Sequence, residues 1–198
     1  MAAVANVVIV DNPHAKFALE QMRNRKLGTI EFRRHSDEVA RCLADKVAYD
    51  YRGQHEGPVV IAPILRAGLA LEREFCKVFA GAAVHHIGVR RNEKTFVPEP
   101  YYPPDGHRLV PPGALVITID PMNATGGSGG YAIRELKSKG ASKVIFVNVV
   151  SAREGVERVQ GEFSDVDIYT VAVDPDLDSN KYIVPGLGDY GDRYYGTV

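Results

Sequence analysis

The chain of 198 residues has little cysteine, almost no net charge and no long apolar run. Its two cysteines, Cys42 and Cys76, fall in helical patterns at no metal-ligand spacing, so we expect core thiols rather than a disulfide. A formal net charge of −1 gives no electrostatic basis for binding nucleic acid or an anionic membrane. The apolar residues 2–10 are interrupted by Asn6 and are far fewer than the ~20 that span a bilayer. We therefore expect a cytoplasmic protein with neither nucleic acid nor membrane as a partner.

The remaining composition is that of an ordinary globular protein, with 45% hydrophobic and 25% charged residues. No internal repeat, low-complexity tract or long charge run divides the chain. A chain of this length buries roughly 70% of its unfolded surface as one unit. The prediction is a single domain over residues 1–198.

Buried strand patterns alternate with helical patterns along the chain. Strands are predicted at residues 7–10, 58–64, 82–89, 114–119, 143–150 and 167–173. Helices are predicted from 12 to about 26, from 31 to 51, after residue 68, from 131 to 139, and after a capping box of Ser151 and Glu154. Apolar strands without polar alternation, joined by helices, indicate an α/β fold with a parallel sheet covered by helices.

Residues 96–112 fit neither pattern. They contain six prolines and the adjacent Tyr101 and Tyr102, so a helix is excluded. A loop of this length in a compact domain is typically a functional lid or disordered. We predict a lid over residues 92–112, in which the tyrosines serve either the lid or simple packing.

The segment after the strand at 114–119 has the features of a phosphate site. Asp120 and Pro121 end the strand, and a small, hydroxyl-rich run follows: Thr125, Gly126, Gly127 and Ser128. Glycines let the backbone turn tightly and present N–H groups, and a helix N-terminus favours anions. No lysine follows the glycines, which excludes a P-loop. The interpretation is a site for a phosphate monoester in which Asp120 accepts from sugar hydroxyls; the alternative is a plain tight connection.

Two other segments require a choice between function and ordinary surface structure. Arg66 follows the strand at 58–64, at the edge where open α/β sheets bind ligands, and its alternative is a surface salt bridge. A literal G-x-G-x-x-G runs from Gly186 to Gly191, but only seven residues follow it. That is too few for the helix and second strand of a dinucleotide fold, which argues against that fold. An ordinary surface turn before the terminus is the other alternative there.

Four motifs occur in the order found in uracil phosphoribosyltransferases, a branch of the type I phosphoribosyltransferase superfamily: PILRAG at 63–68, RRNEKT at 90–95, DPMNATGGS at 120–128 and YIVPGLGD at 182–189. The chain resembles that family over nearly its whole length. Most members of the superfamily have a second acidic residue at the position of Pro121. The resemblance is to the uracil branch, in which proline occupies this position. The resemblance implies a type I core with flanking helices, a flexible loop and a C-terminal base-binding hood. It also implies transfer of a 5-phosphoribosyl group from phosphoribosyl pyrophosphate to uracil, giving UMP and pyrophosphate.

The resemblance assigns most of the site residues. Phosphoribosyl pyrophosphate is expected to contact Arg66, Arg91, Asp120, Pro121, Met122, Asn123, Ala124, Thr125, Gly126, Gly127, Ser128 and Asp189. The catalytic residues expected within this set are Arg66, Arg91, Asp120 and Asp189. Arginine suits the diphosphate because its planar guanidinium binds two oxygens at once.

The expected uracil contacts are Ile183, Gly188, Asp189 and Tyr190, with Asp189 between the base and the phosphoribosyl group. Uracil presents an acceptor, a donor and an acceptor, which a rigid Pro/Gly backbone segment answers with N–H, C=O and N–H. Leaving such a group unpaired costs roughly 1–3 kcal/mol, so cytosine would be rejected. The family often has a small residue at the place of Tyr190, so we expect its ring to alter the rim of the pocket.

The resemblance also implies Mg²⁺ bound mainly through the substrate diphosphate, because Pro121 removes one acidic ligand and Mg²⁺ can be held by substrate oxygens and water. It implies a homodimer or higher homo-oligomer, with GTP as a possible effector. Nothing in the sequence itself decides the oligomeric state or the activation by GTP. Three other hypotheses stay open: an RNA-binding pyrimidine regulator with the same fold, a catalytically silent nucleotide-binding homologue, and a phosphoribosyltransferase for another base.

Overall fold

The computed structural model describes residues 6–51, 53–91, 98–102 and 110–197, with the backbone alone described at 91 and 98. The helices are α1 (Pro13–Arg23), α2 (Thr29–Tyr51), α3 (Leu69–Val78), α4 (Gly127–Ser138), α5 (Arg153–Glu162) and α6 (Tyr190–Tyr195). The strands are β1 (Val7–Ile9), β2 (Val59–Leu65), β3 (Ala83–Val84), β4 (Ile87–Arg91), β5 (Pro98–Tyr102), β6 (Leu115–Ile119), β7 (Met122–Asn123), β8 (Lys143–Val147), β9 (Val150–Ala152), β10 (Asp167–Thr170), β11 (Ala172–Asp174), β12 (Asp176–Leu177) and β13 (Ile183–Val184).

The main sheet has the strand order β1-β10-β8-β6-β2-β4-β5, with β3 also paired to β2. Every pairing in this sheet is parallel except that of β4 with β5. From β2 the chain winds toward β4, whereas from β6 it winds in the opposite direction, toward β8 and β10. Open α/β sheets bind ligands at such a switch point, outside the carboxyl ends of the strands. The reversal therefore predicts a site where β2 and β6 end.

Helices cover both faces of the sheet, and alternate strand residues divide the interior into two cores. On one face, Ile61 and Ile117 pack with residues of α1, α2 and α3. On the other face, Val60 and Val116 pack with residues of α4 and α5. The expected α/β class with a parallel sheet flanked by helices is confirmed.

Two strands that the sequence predicts as uninterrupted, at 143–150 and 167–173, are each broken in two. Their second parts, β9 and β11, join β7 in a separate parallel sheet of order β11-β9-β7. Buried polar side chains stabilise the breaks: Asn148 donates to the carbonyl of Asp120 at 2.7 Å, and Thr170 donates to a neighbouring carbonyl at 3.0 Å. Polar side chains that bind the backbone in this way compete with the strand ladder.

Three smaller expectations are wrong. The predicted strand at 82–89 consists of β3 and β4, separated by residues 85 and 86. Part of the predicted loop at 96–112 is strand β5, which pairs with β4 at the edge of the sheet, where prolines are tolerated. Ser151 does not cap α5, because it lies in β9 and donates to Asn148 Oδ1 at 3.2 Å.

Cys42 on α2 and Cys76 on α3 are free thiols, and burial raises the pKa of each above its ordinary value. Within the described ranges, no helix is both long enough and apolar enough to cross a membrane.

Candidate active site

Two adjoining cavities lie beyond the carboxyl ends of β2 and β6. The first, which we call the loop cavity, measures about 250 Å³ and is lined by residues 122–129 and Asp189. The second, the hood cavity, measures about 170 Å³, and its lining includes Ala67, residues 181–183 and residues 188–191. Asp189 lies in both linings. The predicted phosphate loop at 120–128 and the predicted base segment at 182–189, which are distant in the chain, thus border one bipartite site.

The loop cavity is formed by the first turn of a helix. The sequence predicts that this helix begins at residue 131, but α4 begins at Gly127, so the glycines belong to it. Gly126 is the N-cap at φ 75°, and no side chain caps the turn. A Cβ at Gly126 would lie 3.0 Å from the carbonyl oxygen of Gly155, so glycine is required there. The positive end of the helix therefore lies at the cavity, where it favours a phosphate group.

The back of the loop cavity contains an amide without partners. Asn123 is buried, and neither its side-chain nitrogen nor its side-chain oxygen has a hydrogen-bond partner among the described residues. A buried polar group without a partner costs free energy. Asn123 is among the residues that line the loop cavity. Arg158 supports the same loop by donating to the carbonyl oxygen of Thr125 at 3.3 Å.

Asp120 directly follows β6 and lies at the switch point of the sheet. Its backbone N–H donates to the carbonyl of Val147 at 3.1 Å, and its side chain accepts from the N–H of Met122 at 3.4 Å. Burial raises the pKa of Asp120 to about 7; the N–H of Met122 opposes this rise, and the charge of Asp189 adds to it. A carboxyl group with this pKa is mostly ionised above neutral pH, and the ionised form is the stronger acceptor of hydrogen bonds from hydroxyl groups.

Arg66 directly follows β2, and the peptide bond that joins it to Leu65 is cis. Its guanidinium donates to Asp192 Oδ1 at 2.6 Å and lies over the ring of Tyr195, 5.2 Å from the centroid. The surface salt bridge that the sequence left as an alternative therefore exists. Its partner belongs to α6, the helix that follows the predicted base segment, so the pair lies beside the site rather than away from it.

Asp189 joins the two halves of the site. Its Oδ1 accepts from the backbone N–H of Asp192 at 2.8 Å, which makes it the N-cap of α6. It lines the loop cavity and the hood cavity together with Met122 and Ala124. The place of Asp189 between the base and the phosphoribosyl group stays a prediction.

The ring of Tyr190 does not lie at the pocket rim. The residue is 1% exposed, its hydroxyl lies 2.6 Å from Ser36 Oγ, and its ring meets Phe32 edge to face at 5.1 Å. Burial raises the pKa of Tyr190, so the hydroxyl is neutral. The ring packs between α6 and α2 because burying a large aromatic surface is more favourable than leaving it at a wet rim. The expectation of an altered rim is wrong.

Replacement of Tyr190 with phenylalanine is expected to lower the free energy of unfolding by about 1–2 kcal/mol, because the buried hydroxyl of Ser36 loses its partner. Urea denaturation followed by circular dichroism measures this difference. Tyr101→Phe, at an exposed tyrosine of β5, is the control and should leave the stability unchanged. Equal midpoints for Tyr190→Phe and the wild-type protein would contradict the prediction.

Several residues that position the site carry no signal in the sequence. Arg23, Asp174 and Arg193 hold the backbone of the predicted base segment, and Asn148 holds that of Asp120. Arg23 lies 151 residues from Asp174 and 163 residues from Gly186, so no local motif identifies this contact. The side chain of Arg91 lies outside the described part of the protein, as do residues 92–97 and 103–109 of the predicted lid.

Comparisons with known proteins show the family to which the chain is similar. A family model described as uracil phosphoribosyltransferase matches residues 45–197. Uracil phosphoribosyltransferases of Lysinibacillus sphaericus and Bacillus pumilus are 40% and 39% identical to the chain over 213 residues, covering 98% of this chain and 100% of each relative. The solved structure of the AQ2163 protein from Aquifex aeolicus has a TM-score of 0.86 at 30% identity, covering 96% of this chain and 97% of that chain. A hypoxanthine phosphoribosyltransferase from Trypanosoma cruzi shares the fold, with a TM-score of 0.54 at 21% identity over 73% of this chain and 76% of that chain.

Proposed function

The chain belongs to the uracil phosphoribosyltransferase family, and from this membership we propose how its residues divide the work of the reaction. It is a pentosyltransferase that transfers the 5-phosphoribosyl group of phosphoribosyl pyrophosphate to uracil, giving UMP and pyrophosphate. One observation carries the assignment of residues: two cavities, one against a helix N-terminus and one against the base segment, share Asp189. A phosphorylated sugar in the first cavity and a base in the second would meet beside that carboxylate.

The loop cavity binds the 5-phosphate in this proposal. The N-terminus of α4 supplies backbone N–H groups, and Thr125 and Ser128 supply hydroxyl donors, as the lining of this cavity supports. Asp120 lies at the end of β6, next to the same loop, and its carboxylate accepts from the ribose hydroxyls. This places the sugar across the switch point, with its anomeric carbon toward the hood cavity.

The diphosphate is assigned to the arginines that follow β2 and end β4. These strands are parallel neighbours, so their carboxyl ends, where Arg66 and the backbone of Arg91 are found, lie at the same edge of the sheet. A guanidinium binds two phosphate oxygens and offsets the charge that grows on the leaving group. Closure of residues 92–112 over the substrates stays a prediction; most of that segment lies outside the described residues.

The transfer exchanges one bond for another at the anomeric carbon. The bond from this carbon to the diphosphate oxygen breaks, the bond to the base nitrogen forms, and the proton of that nitrogen is released. Positive charge grows on the sugar during the exchange, so the carboxylates of Asp120 and Asp189 favour it electrostatically. The remaining contribution is the alignment of base and sugar in adjoining cavities, without a covalent intermediate.

Mg²⁺ is proposed as the metal ion of the reaction. Among the described residues, no group of three or more His, Cys, Asp or Glu side chains could hold a metal. The two acidic side chains at the site, Asp120 and Asp189, fit an ion that is bound mainly by substrate oxygens and water. When bound with the diphosphate, the ion neutralises part of its charge.

The test of the function is release of pyrophosphate from phosphoribosyl pyrophosphate and Mg²⁺, measured with uracil, cytosine, hypoxanthine or no added base. Turnover with uracil alone is the expected result. Turnover with hypoxanthine instead would contradict the assignment of the base. No turnover with any base, with saturable binding of phosphoribosyl pyrophosphate and salt-sensitive binding of RNA, would favour the regulator hypothesis.

Replacing Asp192 with asparagine is expected to lower the KM for phosphoribosyl pyrophosphate by about two- to fivefold. The carboxylate of Asp192 neutralises Arg66 in the free protein, and an exposed pair of this kind is worth only about 0–1 kcal/mol. Without the carboxylate, the full charge of Arg66 acts on the diphosphate. The same substitution in an Arg66→Ala background should have no effect on this KM. A higher KM for Asp192→Asn would contradict the prediction.

Four expectations stay predictions: a single domain, a cytoplasmic location, a homodimer or higher homo-oligomer, and activation by GTP. Sedimentation of the purified protein with and without GTP, together with turnover at a range of GTP concentrations, tests the last two.

A further inference from the structure

An ion pair lies buried beneath the turn that carries the predicted base contacts. Arg23, the last residue of α1, and Asp174, the last residue of β11, are joined by two parallel hydrogen bonds. Arg23 Nη2 donates to Asp174 Oδ1 at 2.7 Å, and Arg23 Nη1 donates to Asp174 Oδ2 at 2.8 Å. Their side chains are only 18% and 6% exposed. A bidentate pair shielded from water in this way holds both groups in one geometry.

Both members of the pair also bind the backbone of one residue, Gly186. The backbone N–H of Gly186 donates to Asp174 Oδ2 at 2.8 Å, and its carbonyl oxygen accepts from Arg23 Nη1 at 2.8 Å. Gly186 has a φ of +52°, and a Cβ there would lie 2.0 Å from the carbonyl oxygen of Ile183. The turn therefore requires glycine at this position, and the ion pair binds both backbone polar groups of that glycine.

A second arginine ties the same turn to the same end of α1. Arg193 donates to the carbonyl of Leu187 at 2.6 Å, to that of Asn24 at 2.8 Å and to that of Met22. Its guanidinium also lies 4.3 Å from the centroid of the Phe32 ring. The two residues at the centre of the turn, Gly186 and Leu187, are therefore fixed to the carboxyl end of α1 by separate arginines.

We propose that Arg23 and Asp174 are positioning residues for base recognition: they set the shape of the hood cavity by holding Gly186. Ile183 precedes the turn and Gly188 follows it, and both line that cavity. A shift of the turn would move Ile183 and Gly188 relative to each other and so change the shape of the cavity. The inference rests on the assignment of uracil to the hood cavity in the proposed function.

The arrangement also separates this role from simple stabilisation. A buried ion pair is often no more stabilising than well-packed apolar residues of similar size. An apolar pair could therefore replace it in the fold, but such a pair offers nothing to the N–H and carbonyl of Gly186. The contacts with Gly186 therefore explain why a charged pair, which is more costly to bury than an apolar pair, occurs at this position.

The double variant Arg23→Met with Asp174→Leu tests the inference in the full-length protein. We expect its KM for uracil to rise by about tenfold or more, since two backbone groups of the turn lose their partners. The KM for phosphoribosyl pyrophosphate should stay within about twofold, because the loop cavity and Arg66 are untouched, and discrimination of uracil against cytosine should fall. Asp174→Asn should show the same pattern more weakly. Its amide nitrogen is a donor, so it cannot accept the hydrogen bond that the carboxylate oxygen at the same place accepts.

A control variant separates positioning from loss of stability. Tyr51→Phe removes the hydrogen bond from the Tyr51 hydroxyl to Asp167 Oδ2, at the amino-terminal edge of the sheet, away from both cavities. Its free energy of unfolding should fall without a change in the KM for uracil. Each pair variant is compared with this control by urea denaturation and by both KM values.

The inference would be overturned if the pair variants resembled the control, with lower stability but the uracil KM and discrimination of the wild type. If the double variant does not fold, Asp174→Asn decides by the same two measurements. Absence of uracil turnover in the wild-type protein would overturn the proposed function itself, and this outcome is visible before any variant is made.

Discussion

An Asp120→Asn variant is expected to form UMP at least about 100-fold more slowly than the wild-type enzyme, mainly through kcat. The substitution keeps the shape of the side chain but removes the negative charge at the end of β6. In the proposed mechanism that charge orients the ribose hydroxyls and favours the positive charge that develops on the sugar. Initial rates of pyrophosphate release at saturating substrates measure the effect.

Asp165→Asn is the matched control, since Asp165 is exposed, pairs with Lys137 and precedes the amino end of β10. It should retain wild-type rates. An Asp120→Asn enzyme with a rate within a few-fold of this control would remove Asp120 from the catalytic residues.

The pH dependence of the wild-type enzyme should reveal the same carboxyl group. Its pKa of about 7 predicts that kcat/KM falls as the pH drops below neutrality, and that this inflection disappears in Asp120→Asn. The folded state holds the proton more tightly than the unfolded state, so wild-type stability is lost as the pH rises from about 4 through 7. At pH 8 the asparagine variant should therefore be the more stable by about 1–2 kcal/mol, less than the full shift because Asp120 is partly exposed. Denaturation at pH 4 and pH 8 checks the sign.

An Arg66→Ala variant is expected to lose about 100- to 1,000-fold in kcat/KM for phosphoribosyl pyrophosphate. Arg66 directly follows β2. In the proposed mechanism its guanidinium offsets the negative charge on the departing diphosphate. Arg66→Lys should recover only part of the loss, because an ammonium group lacks the planar fork that binds two oxygens. Steady-state kinetics with varied phosphoribosyl pyrophosphate measure both variants.

Arg134→Ala provides the control for Arg66→Ala, because Arg134 is an exposed arginine of α4 that pairs with Glu162. Its kinetic constants should match those of the wild-type enzyme. If Arg66→Ala behaved in the same way, Arg66 would have only its surface ion pair with Asp192, and the diphosphate assignment would fail.

Local pattern predicts the framework of the site well. The apolar runs of β2 and β6, which show no polar alternation, predict buried parallel strands, and these strands are adjacent in the sheet. Parallel neighbours end at the same edge, so Arg66 and Asp120 belong to one crevice as soon as the pairing is known. The glycines after Asp120 indicate a phosphate site, although α4 begins four residues earlier than its apolar pattern predicts, because glycines carry no hydrophobic periodicity.

Other features depend on contacts between distant segments. Nothing near Tyr190 in the chain indicates that its ring turns inward; Ser36 and Phe32, on α2, provide the partners. The breaks after β8 and β10 likewise depend on buried polar side chains that find carbonyls of other segments. A one-dimensional apolar pattern is the same for a continuous strand and for a broken one.

The sequence by itself determined the fold class, the alternation of the core strands with helices α1 to α5, the family and the two segments that border the loop cavity and the hood cavity. These properties follow from hydrophobic periodicity, turn residues and motifs, all of which act over a few neighbouring residues. Only the tertiary structure decided that Arg23 and Asp174 meet beneath Gly186, although 151 residues separate the two charges. A polar side chain acquires its partner after the sheet and helices have packed, and packing brings together groups whose separation in the chain contains no record of their contact.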